Sequence, residues 1–502
     1  MYVRKKKNPS GKLSIQIIDK SSGKYRLHKT IGSSSDPLEI ETLLTKAKQY
    51  IAEYTYSQEL DFTDYKTQTK EVLDNIQSMK LVGIRLVLGK IFDEIGFSII
   101  RDELFKDLVL YRLVYPASKL KTTEYLFRYE GKSFSEDDIY RYMDKLYNTQ
   151  KELVQEISYK HTQRILSSKI ELVFYDVTTL YFEIDRGDDL RKTGFSKEGK
   201  HQNPQILLGL LVAEDGYPLA YDIFPGNKYE GHTMLPVLNG FKAKYQIENI
   251  TVVADSGLLT STNIEQLQRN NYEFILGARI KNETEEIKNR ILALNLKDGE
   301  SSVMHKGDLR LIVTYSDKRS GKDKYNREKG LERLEKKIKS GKLTKANINN
   351  KGYNKYLKLE GEVAITIDRD KYHADEKWDG LKGYLTNSTL PTEQVLENYQ
   401  HLWKIEKAFR VTKTDLKIRP IFHRLQRRIE AHICLNFVAY KVYKELERYL
   451  KNKNVDWSPE KVIEILQNIY QIEVFLPNTN ELYRRVLLLT DEQKKIAKIF
   501  DF

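Results

Sequence analysis

The sequence predicts an α/β protein in which a mixed sheet, flanked by helices, is interrupted by a β-containing insertion and follows a helical region. A change of pattern along the chain predicts this fold class. Residues 70–165 show helical periodicity with few strand signals, whereas from residue 170 short apolar runs alternate with turn residues. Three strands in hairpin order, followed by strand, helix and strand, describe a mixed sheet covered by helices.

Composition narrows the class of protein further. The chain has 502 residues, too many for one core, and 40% of them are hydrophobic. Its net charge of +13 favours a polyanion as partner, nucleic acid being the commonest; a cationic surface without such a partner is the alternative. The single cysteine, Cys434, excludes an internal disulfide framework. No apolar segment reaches the roughly 18 residues of a membrane span, so we expect a cytoplasmic, nucleoid-associated protein with no membrane partner.

The N-terminal region, residues 1–65, is predicted to hold a hairpin and a helix. Residues 12–31 alternate weakly between apolar and polar, with Ser21-Ser22-Gly23 as the turn. Asp36 before Pro37 is typical of a helix start, and the helix is expected to run to about Tyr54.

Residues 66–168 are predicted to form a helical DNA-binding domain. Ser135 precedes an acidic first turn and is expected to cap one of its helices. Basic residues accompany the short helices, among them Lys119 and Lys121. Short helices joined by tight turns suit a helix-turn-helix-like module in which such residues contact DNA. A plain helical bundle with a solvated basic face is the alternative.

Residues 169–280 and 381–445 are predicted to be two parts of one α/β core. The strands expected in the first part are Val173–Val177, Ile206–Ala213, Leu219–Phe224, Ile250–Ala254 and Phe274–Gly277. Thr262 and Glu265 have the spacing of a capping box that opens a helix after Asp255. In the second part, Leu381–Thr386 is expected to be a strand, and Pro391-Thr392 to start a long helix.

Between these parts, residues 281–380 are predicted to be an insertion. Two of its segments, Leu309–Tyr315 and Glu362–Ile367, are typical of strands. The stretch between them, Asp317–Lys358, is rich in Lys and Arg and is expected to be charged and partly helical. After the core, Leu425–Leu450 is expected to be helical, and residues 446–502 are assigned to a C-terminal helical region.

Three carboxylates stand out against this predicted scaffold. Asp176 and Asp255 each end an apolar run that is expected to form a strand, and Glu406 lies in a predicted helix. Tyr399, Glu406 and Lys413 are spaced seven residues apart and therefore share one helix face. Two acids at strand ends and one on a helix can converge on a pair of divalent cations. Taken singly, each aspartate is also typical of a turn or cap, and Glu406 of a solvated helix face.

Oxygen ligands of this kind select Mg²⁺, with Mn²⁺ as a substitute, over zinc. Two such ions activate a water and hold both oxygens of an in-line phosphoryl displacement. The histidines form no HExxH motif, and the sequence contains no P-loop. The basic character of the chain makes DNA the expected phosphodiester. The basic segment Arg191–Lys197 is expected either to lie along the phosphate backbone or to be a plain surface loop.

Four motifs occur in order along the chain: Phe174-Tyr-Asp176-Val-Thr-Thr-Leu-Tyr-Phe-Glu183, Pro225-Gly-Asn227, Val252-Val-Ala-Asp255-Ser-Gly257, and the Tyr399–Lys413 helix followed by Leu416-Lys-Ile-Arg-Pro-Ile-Phe-His423. In this order they resemble the DDE-type insertion-sequence transposases. The branch that they resemble is the insertion-sequence-four superfamily, and within it the sixteen-thirty-four-like group. The resemblance covers residues 170–445 well and 70–165 loosely.

The resemblance implies a ribonuclease-H-like catalytic core with a mostly β insertion. It also implies cut-and-paste DNA transposition, with Asp176, Asp255 and Glu406 as the catalytic and metal-binding residues and two Mg²⁺ ions as cofactor. Double-stranded DNA, as transposon ends and target, is the implied partner, and a homodimer is the implied active complex. An immobile nuclease of the same fold, and a DNA-binding protein descended from a transposase, are the alternatives.

The resemblance also implies DNA contacts on the helix that carries Glu406. By similarity to relatives, Tyr399 and Lys413 contact phosphates at the transposon ends. The family motif has an arginine where this chain has Leu402, so Lys404, Lys407 or Arg410 is expected to supply that charge. In the insertion, Trp378 is expected either to anchor the core or to stack on a flipped base.

Overall fold

The computed structural model describes the chain except residues 22, 56–69, 71, 147–149, 168, 185, 197–198, 342, 345–346, 350–351, 361–363 and 477–480. The chain divides into two compact units. One comprises Met1–Met79 and Ile472–Arg485, and the other comprises Lys80–Gln471 and Val486–Phe502.

The elements are numbered here in chain order. The strands are β1 (Tyr2–Lys7), β2 (Leu13–Asp19), β3 (Arg26–Ser34), β4 (Ile76–Leu81), β5 (Leu172–Tyr181), β6 (Gln205–Ala213), β7 (Pro218–Pro225), β8 (Thr251–Ala254), β9 (Glu273–Ala278), β10 (Ser301–Lys306), β11 (Leu309–Tyr315), β12 (Leu357–Glu360), β13 (Ala364–Ile367), β14 (Leu381–Thr386), β15 (Tyr470–Leu476) and β16 (Glu481–Leu487). The α-helices are α1 (Pro37–Thr55), α2 (Lys90–Ile95), α3 (Glu103–Val114), α4 (Lys119–Tyr125), α5 (Glu136–Leu146), α6 (Lys151–Leu166), α7 (Met234–Tyr245), α8 (Ser261–Arg269), α9 (Glu285–Leu292), α10 (Asp317–Lys339), α11 (Arg369–Glu376), α12 (Thr392–Gln400), α13 (Trp403–Thr414), α14 (Gln426–Asn452), α15 (Pro459–Leu466) and α16 (Asp491–Phe500).

The first unit begins with an antiparallel sheet of order β1-β2-β3, on which α1 packs. The predicted hairpin and helix are confirmed, although β1 was not predicted and the turn residue Ser22 lies outside the described residues. Asp36 caps the helix as expected, its Oδ1 accepting the N–H of Leu38 at 3.1 Å. Ile15, Ile17 and Ala47 are buried between sheet and helix.

Most of a second small sheet, of order β16-β15-β4, also belongs to the first unit. The expectation of a wholly helical C-terminal region is therefore wrong, because residues 470–487 contribute two of these strands. The alternation of polar and apolar residues in Tyr470–Leu476 is the strand signal that the sequence reasoning missed. Within this sheet Ser78 donates to Glu473 Oε2 at 2.7 Å.

The helical part of the second unit is organised around α14, which packs against α3, α5 and α6. The predicted helical character of the chain before residue 168 is confirmed for these elements. Ser135 caps α5 as expected, since its Oγ accepts the N–H of Asp138 at 3.1 Å. Cys434 is buried in α14, which is also the expected outcome.

The second unit also holds an eight-stranded mixed sheet of order β10-β11-β14-β9-β8-β5-β6-β7. The three central strands β9, β8 and β5 are parallel, and the other neighbours pair antiparallel. All five strands expected between residues 169 and 280 are present, within a few residues of their predicted ends. The helix after β8 begins two residues earlier than expected, because Thr260 rather than Thr262 is its cap.

Part of the predicted insertion forms strands of this sheet. Strands β10 and β11 extend it beyond β14, so residues 301–315 belong to the main sheet rather than to a separate body. The stretch between β11 and β14 is more helical than the mostly β insertion that was expected, since it holds α10, α11 and the small pair β12-β13. Trp378 is partly buried and packs against the sheet's core, which favours the anchoring role.

Among the described residues, no helix is both long enough and apolar enough to cross a membrane.

Candidate active site

Two of the three predicted acids are neighbours across the centre of the sheet. Tyr175 on β5 lies opposite Ala254 on β8 in a parallel ladder, so the next residues, Asp176 and Asp255, are adjacent. Neighbouring strands are about 5 Å apart. Asp255 follows the end of its strand as expected. Asp176 lies inside its strand instead, because β5 pairs with β6 and continues through Tyr181.

Both aspartates belong to the same face of the sheet. Side chains alternate along a strand, and Tyr175 and Ala254 are buried in the core on one face. Phe174 and Val253 are buried in the core on the other face. By this alternation Asp176 falls on the face of Phe174, as does Asp255, whose backbone stays extended (φ −74°, ψ 160°).

Glu406 lies on α13, which packs against this same face of the sheet. Ile405, Ala408 and Phe409 of the helix are buried there, whereas Glu406 is exposed. The expected apolar stripe is thus confirmed. The prediction of a single long helix is wrong, because the chain turns at His401–Leu402 and this turn separates α12 from α13. Neither residue is a proline or a glycine, so nothing in the local sequence marks the break.

Lys382, which the sequence reasoning missed, lies within electrostatic reach of both Asp255 and Glu406. Lys382 on β14 places its ammonium 4.4 Å from the ring centre of Tyr399 and 5.2 Å from that of Tyr384. Burial lowers the pKa of Lys382 and Arg319 lowers it further, while the charges of Asp255 and Glu406 oppose the shift. Lys382 and Tyr384 are two residues apart on one strand, a spacing that would have placed both on one face.

Tyr399, for which the resemblance implies a phosphate contact, is buried against β14, and that contact stays a prediction. It is 5% exposed, and its ring meets Tyr384 edge-on at 4.8 Å. A Cβ added to Gly277 of β9 would lie 2.5 Å from the Tyr399 hydroxyl and 3.1 Å from the Ser256 nitrogen. Burial, and then the charge of Asp255, raise the pKa of Tyr399, so its hydroxyl stays protonated.

Gly277→Ala is therefore expected to push Tyr399 out of its place and to lower the free energy of unfolding by about 1–3 kcal/mol. The cost arises because the new methyl group and the hydroxyl cannot share the same space. In a Tyr399→Phe background the same substitution should cost less, since the clashing oxygen is gone. Gly240→Ala is the matched control, because Gly240 lies in α7 and a Cβ added there would have no atom within 4 Å. Equal costs in both backgrounds, measured by denaturant unfolding, would contradict this packing.

The remaining residues that were predicted to contact DNA differ in their exposure to solvent. Arg410 is exposed on α13, and Lys413 is half-buried near the end of the same helix. Lys121 is exposed and paired with Glu124. Lys119 is only 5% exposed at the first residue of α4, which argues against a solvated basic face at this position, and its contact with DNA stays a prediction.

Comparison with known proteins assigns the family. A family model described as the transposase DDE domain matches residues 167–441, more than half of the chain. The chain belongs to the DDE transposases. Asp176, Asp255 and Glu406 all lie within the matched transposase domain.

Two solved transposase structures are similar to this chain at low identity. A piggyBac transposase synaptic complex with hairpin DNA is 10% identical, with 76% of each chain covered and a TM-score of 0.39. A Mos1 transposase paired-end complex with the left transposon end is 13% identical, with 36% of this chain and 57% of that chain covered and a TM-score of 0.16. No curated protein matches the chain.

The acids of the transposase domain share one face without forming a tight cluster. Among the described residues there is no group of three or more His, Cys, Asp or Glu side chains close enough to hold a metal ion. The neighbouring pair Asp176 and Asp255 still fits Mg²⁺, which is usually bound through one or two carboxylates together with waters and substrate phosphates. Each aspartate also accepts the N–H of its following residue, at 2.7 Å and 2.6 Å respectively.

Proposed function

We propose that this protein is the transposase of an insertion sequence, catalysing cut-and-paste DNA transposition by two-metal phosphoryl transfer at terminal inverted repeats. The observation that carries the proposal is the register of β5 and β8, which makes Asp176 and Asp255 neighbours on the face where α13 presents Glu406. This placement supports a shared site for three acids that come from three separate parts of the chain.

We infer a ribonuclease-H-like catalytic core. The inference is supported by the strand order β7-β6-β5-β8-β9, in which an antiparallel meander is followed by two strands parallel to β5. In open sheets with parallel strands, ligands bind outside the carboxyl ends of those strands. Asp255 stands at such an end. The subgroup within the insertion-sequence-four superfamily rests on the sequence motifs alone.

Asp176 and Asp255 would hold two Mg²⁺ ions, or Mn²⁺ in their place, and Glu406 would complete the ligand set. The ions would supply Lewis acidity and lower the pKa of the attacking water. The chain's own residues orient these ligands. The ladder between β5 and β8 fixes the spacing of the two aspartates, and the Lys382 ammonium adds positive charge beside Asp255 and Glu406.

Double-stranded DNA is the proposed substrate, both as transposon end and as target. Water nicks one strand at the transposon end, and the freed 3′-hydroxyl then attacks either the opposite strand or the target. Arg410, Lys413 and Lys121 are proposed phosphate contacts, the helical region before residue 168 is the proposed reader of the inverted repeats, and a homodimer is the proposed active complex. Phosphate contacts of this kind make binding dependent on salt.

The test is an in vitro reaction of the full chain with DNA from the ends of its own element, a target plasmid and Mg²⁺. Transposition predicts nicks that leave 3′-hydroxyls at the ends, followed by joints between the ends and the target. An immobile nuclease would cut without forming joints. A protein that only binds DNA would retain the duplex uncut in both Mg²⁺ and Mn²⁺, and that result would overturn the proposal.

A further inference from the structure

A second group of charged and titratable side chains lies in the helical region, on elements other than those that carry Asp176, Asp255 and Glu406. Arg112 is in the last turn of α3, Lys119 opens α4, and His423 lies in the segment between α13 and α14. Arg112 and Lys119 are only 7% and 5% exposed. These three residues are called the basic cluster. The ring of His432, in α14, packs against His423 with centres 5.3 Å apart.

The basic cluster contains buried charge without a counter-charge. Neither Arg112 nor Lys119 makes a hydrogen bond or an ion pair with another described residue. Burial alone lowers the pKa of Arg112 to about 10, so the guanidinium stays charged at neutral pH. Burial, and then the nearby Arg112, lower the pKa of Lys119. Burial followed by Lys119 and Arg112 lowers the pKa of His423 to about 3.

Such an arrangement is unfavourable unless an anion completes it. A buried ion needs a partner of opposite charge, and two neighbouring cations make that need greater. A guanidinium fork, an ammonium and an imidazole N–H are donors suited to the several oxygens of one phosphate group. No such combination is needed to hold α3 in place, because that helix already buries apolar side chains such as Phe105, Leu108 and Val109 in the core.

The basic cluster lies next to the protein surface. His423 is only partly buried, and Phe422 beside it is 75% exposed. His432 is buried behind His423, and its Nε2 donates to the Ile418 carbonyl at 3.1 Å. This hydrogen bond fixes the segment that carries His423 to α14. The basic cluster therefore reaches solvent at His423, the side from which a phosphate would approach.

We propose that Arg112, Lys119 and His423 form a binding site for a phosphate group, either one from the DNA backbone or a free phosphate ion. The DNA source rests on the proposed function, whereas the phosphate chemistry does not. The site is separate from the acids that carry out strand cleavage, and its role is to hold a phosphate in a fixed place on the helical region.

The first test measures thermal unfolding of the full chain in inorganic phosphate and in chloride at equal ionic strength. A bound anion raises the unfolding temperature by mass action, and we expect a rise of about 2–4 °C at saturating phosphate. Lys119→Met should abolish the rise. It should also leave the protein at least as stable in chloride, because an apolar side chain of similar length replaces an unpaired buried charge. Lys160→Met, at an exposed lysine paired with Glu156, is the matched control and should keep the full rise.

His423→Asn provides a second variant in a partly exposed segment, should Lys119→Met fail to fold. It should raise the phosphate concentration at half-effect at least threefold. If the natural chain shows no phosphate-specific rise, or if both variants keep it, the site does not exist.

The second test identifies the source of the phosphate. End duplexes in which single phosphates are replaced by neutral methylphosphonates are titrated with the natural chain and with Lys119→Met. A DNA source predicts one position where neutralisation weakens binding of the natural chain about tenfold but leaves the variant unaffected. A phosphate-dependent unfolding temperature without any such position assigns the site to free phosphate. If the protein binds no DNA, the proposed function fails while the thermal test still decides this site.

Discussion

Asp176→Asn, Asp255→Asn and Glu406→Gln are each expected to lower the rate of strand cleavage by at least about 10³-fold, which corresponds to about 4 kcal/mol of transition-state stabilisation. Each change removes one negative charge and keeps the size of the side chain. The loss should appear in the cleavage step rather than in DNA binding, because the substituted atoms are proposed metal ligands and not phosphate contacts. Gel-resolved rates of 3′-end formation in Mg²⁺ measure the effect.

Two exposed acids elsewhere in the transposase domain provide matched controls. Asp215 lies in the turn between β6 and β7, and Glu393 lies in the first turn of α12. Asp215→Asn and Glu393→Gln should retain cleavage within about twofold. The three site variants should also unfold at the same temperature as the natural chain or a higher one, since removing one of two neighbouring like charges relieves repulsion. Near-full cleavage by any of the three site variants would show that the metal assignment is wrong.

Acidification below pH 6.5 is expected to destabilise the fold steeply, because two buried histidines, His161 and His432, and the partly buried His423 stay neutral in the folded chain. Burial lowers the pKa of His161 to about 2 and that of His423 to about 3, and burial also lowers that of His432 well below the ordinary 6.5. In the unfolded chain these groups take up protons below pH 6.5, whereas in the folded chain they do not. Stability is therefore full above pH 6.5 and falls as the pH drops toward the folded values.

Each histidine contributes about 1.4 kcal/mol per pH unit, so the three together lower the free energy of unfolding by about 4 kcal/mol per unit below pH 5.5. Glu445 lies 3.7 Å from His161 Nε2 but is already engaged by Tyr217 and Arg448, so it does not offset burial. Denaturant unfolding at pH 7, 6 and 5 measures the slope. His161→Gln should reduce that slope by about a third, and a free energy that stays constant from pH 7 to pH 5 would contradict the burial of neutral histidines.

The sequence predicted the central strands well because they are buried on both faces. Ile206–Ala213 is continuously apolar, which is typical of such strands, and the structure places it inside the sheet. Edge strands were harder to predict. Ser301–Lys306 is mostly exposed at the end of the sheet, so its polar residues do not distinguish a strand from a loop.

The sequence indicated which acids belong to the candidate active site, but it did not indicate which of them are neighbours in space. Register decides that Asp176 and Asp255 are neighbours, and no local pattern in either strand specifies which residues pair between strands distant in sequence. The burial of Lys119 was missed for a related reason. The sequence Ser118-Lys119-Leu120-Lys121 is typical of an exposed helix start, and Lys119 is buried only through tertiary packing that the local sequence does not show.

The place of β14 in the main sheet has a consequence for synthesis on the ribosome. This strand lies between β9 and β11 although a long excursion separates it from both along the chain. Until Thr386 has emerged, β9 and β11 each present an open row of backbone groups to solvent, and such edges pair readily with other chains. Interrupted translation before that residue would consequently release fragments prone to aggregate, whereas completion of β14 closes the gap and brings α13 into place soon afterwards.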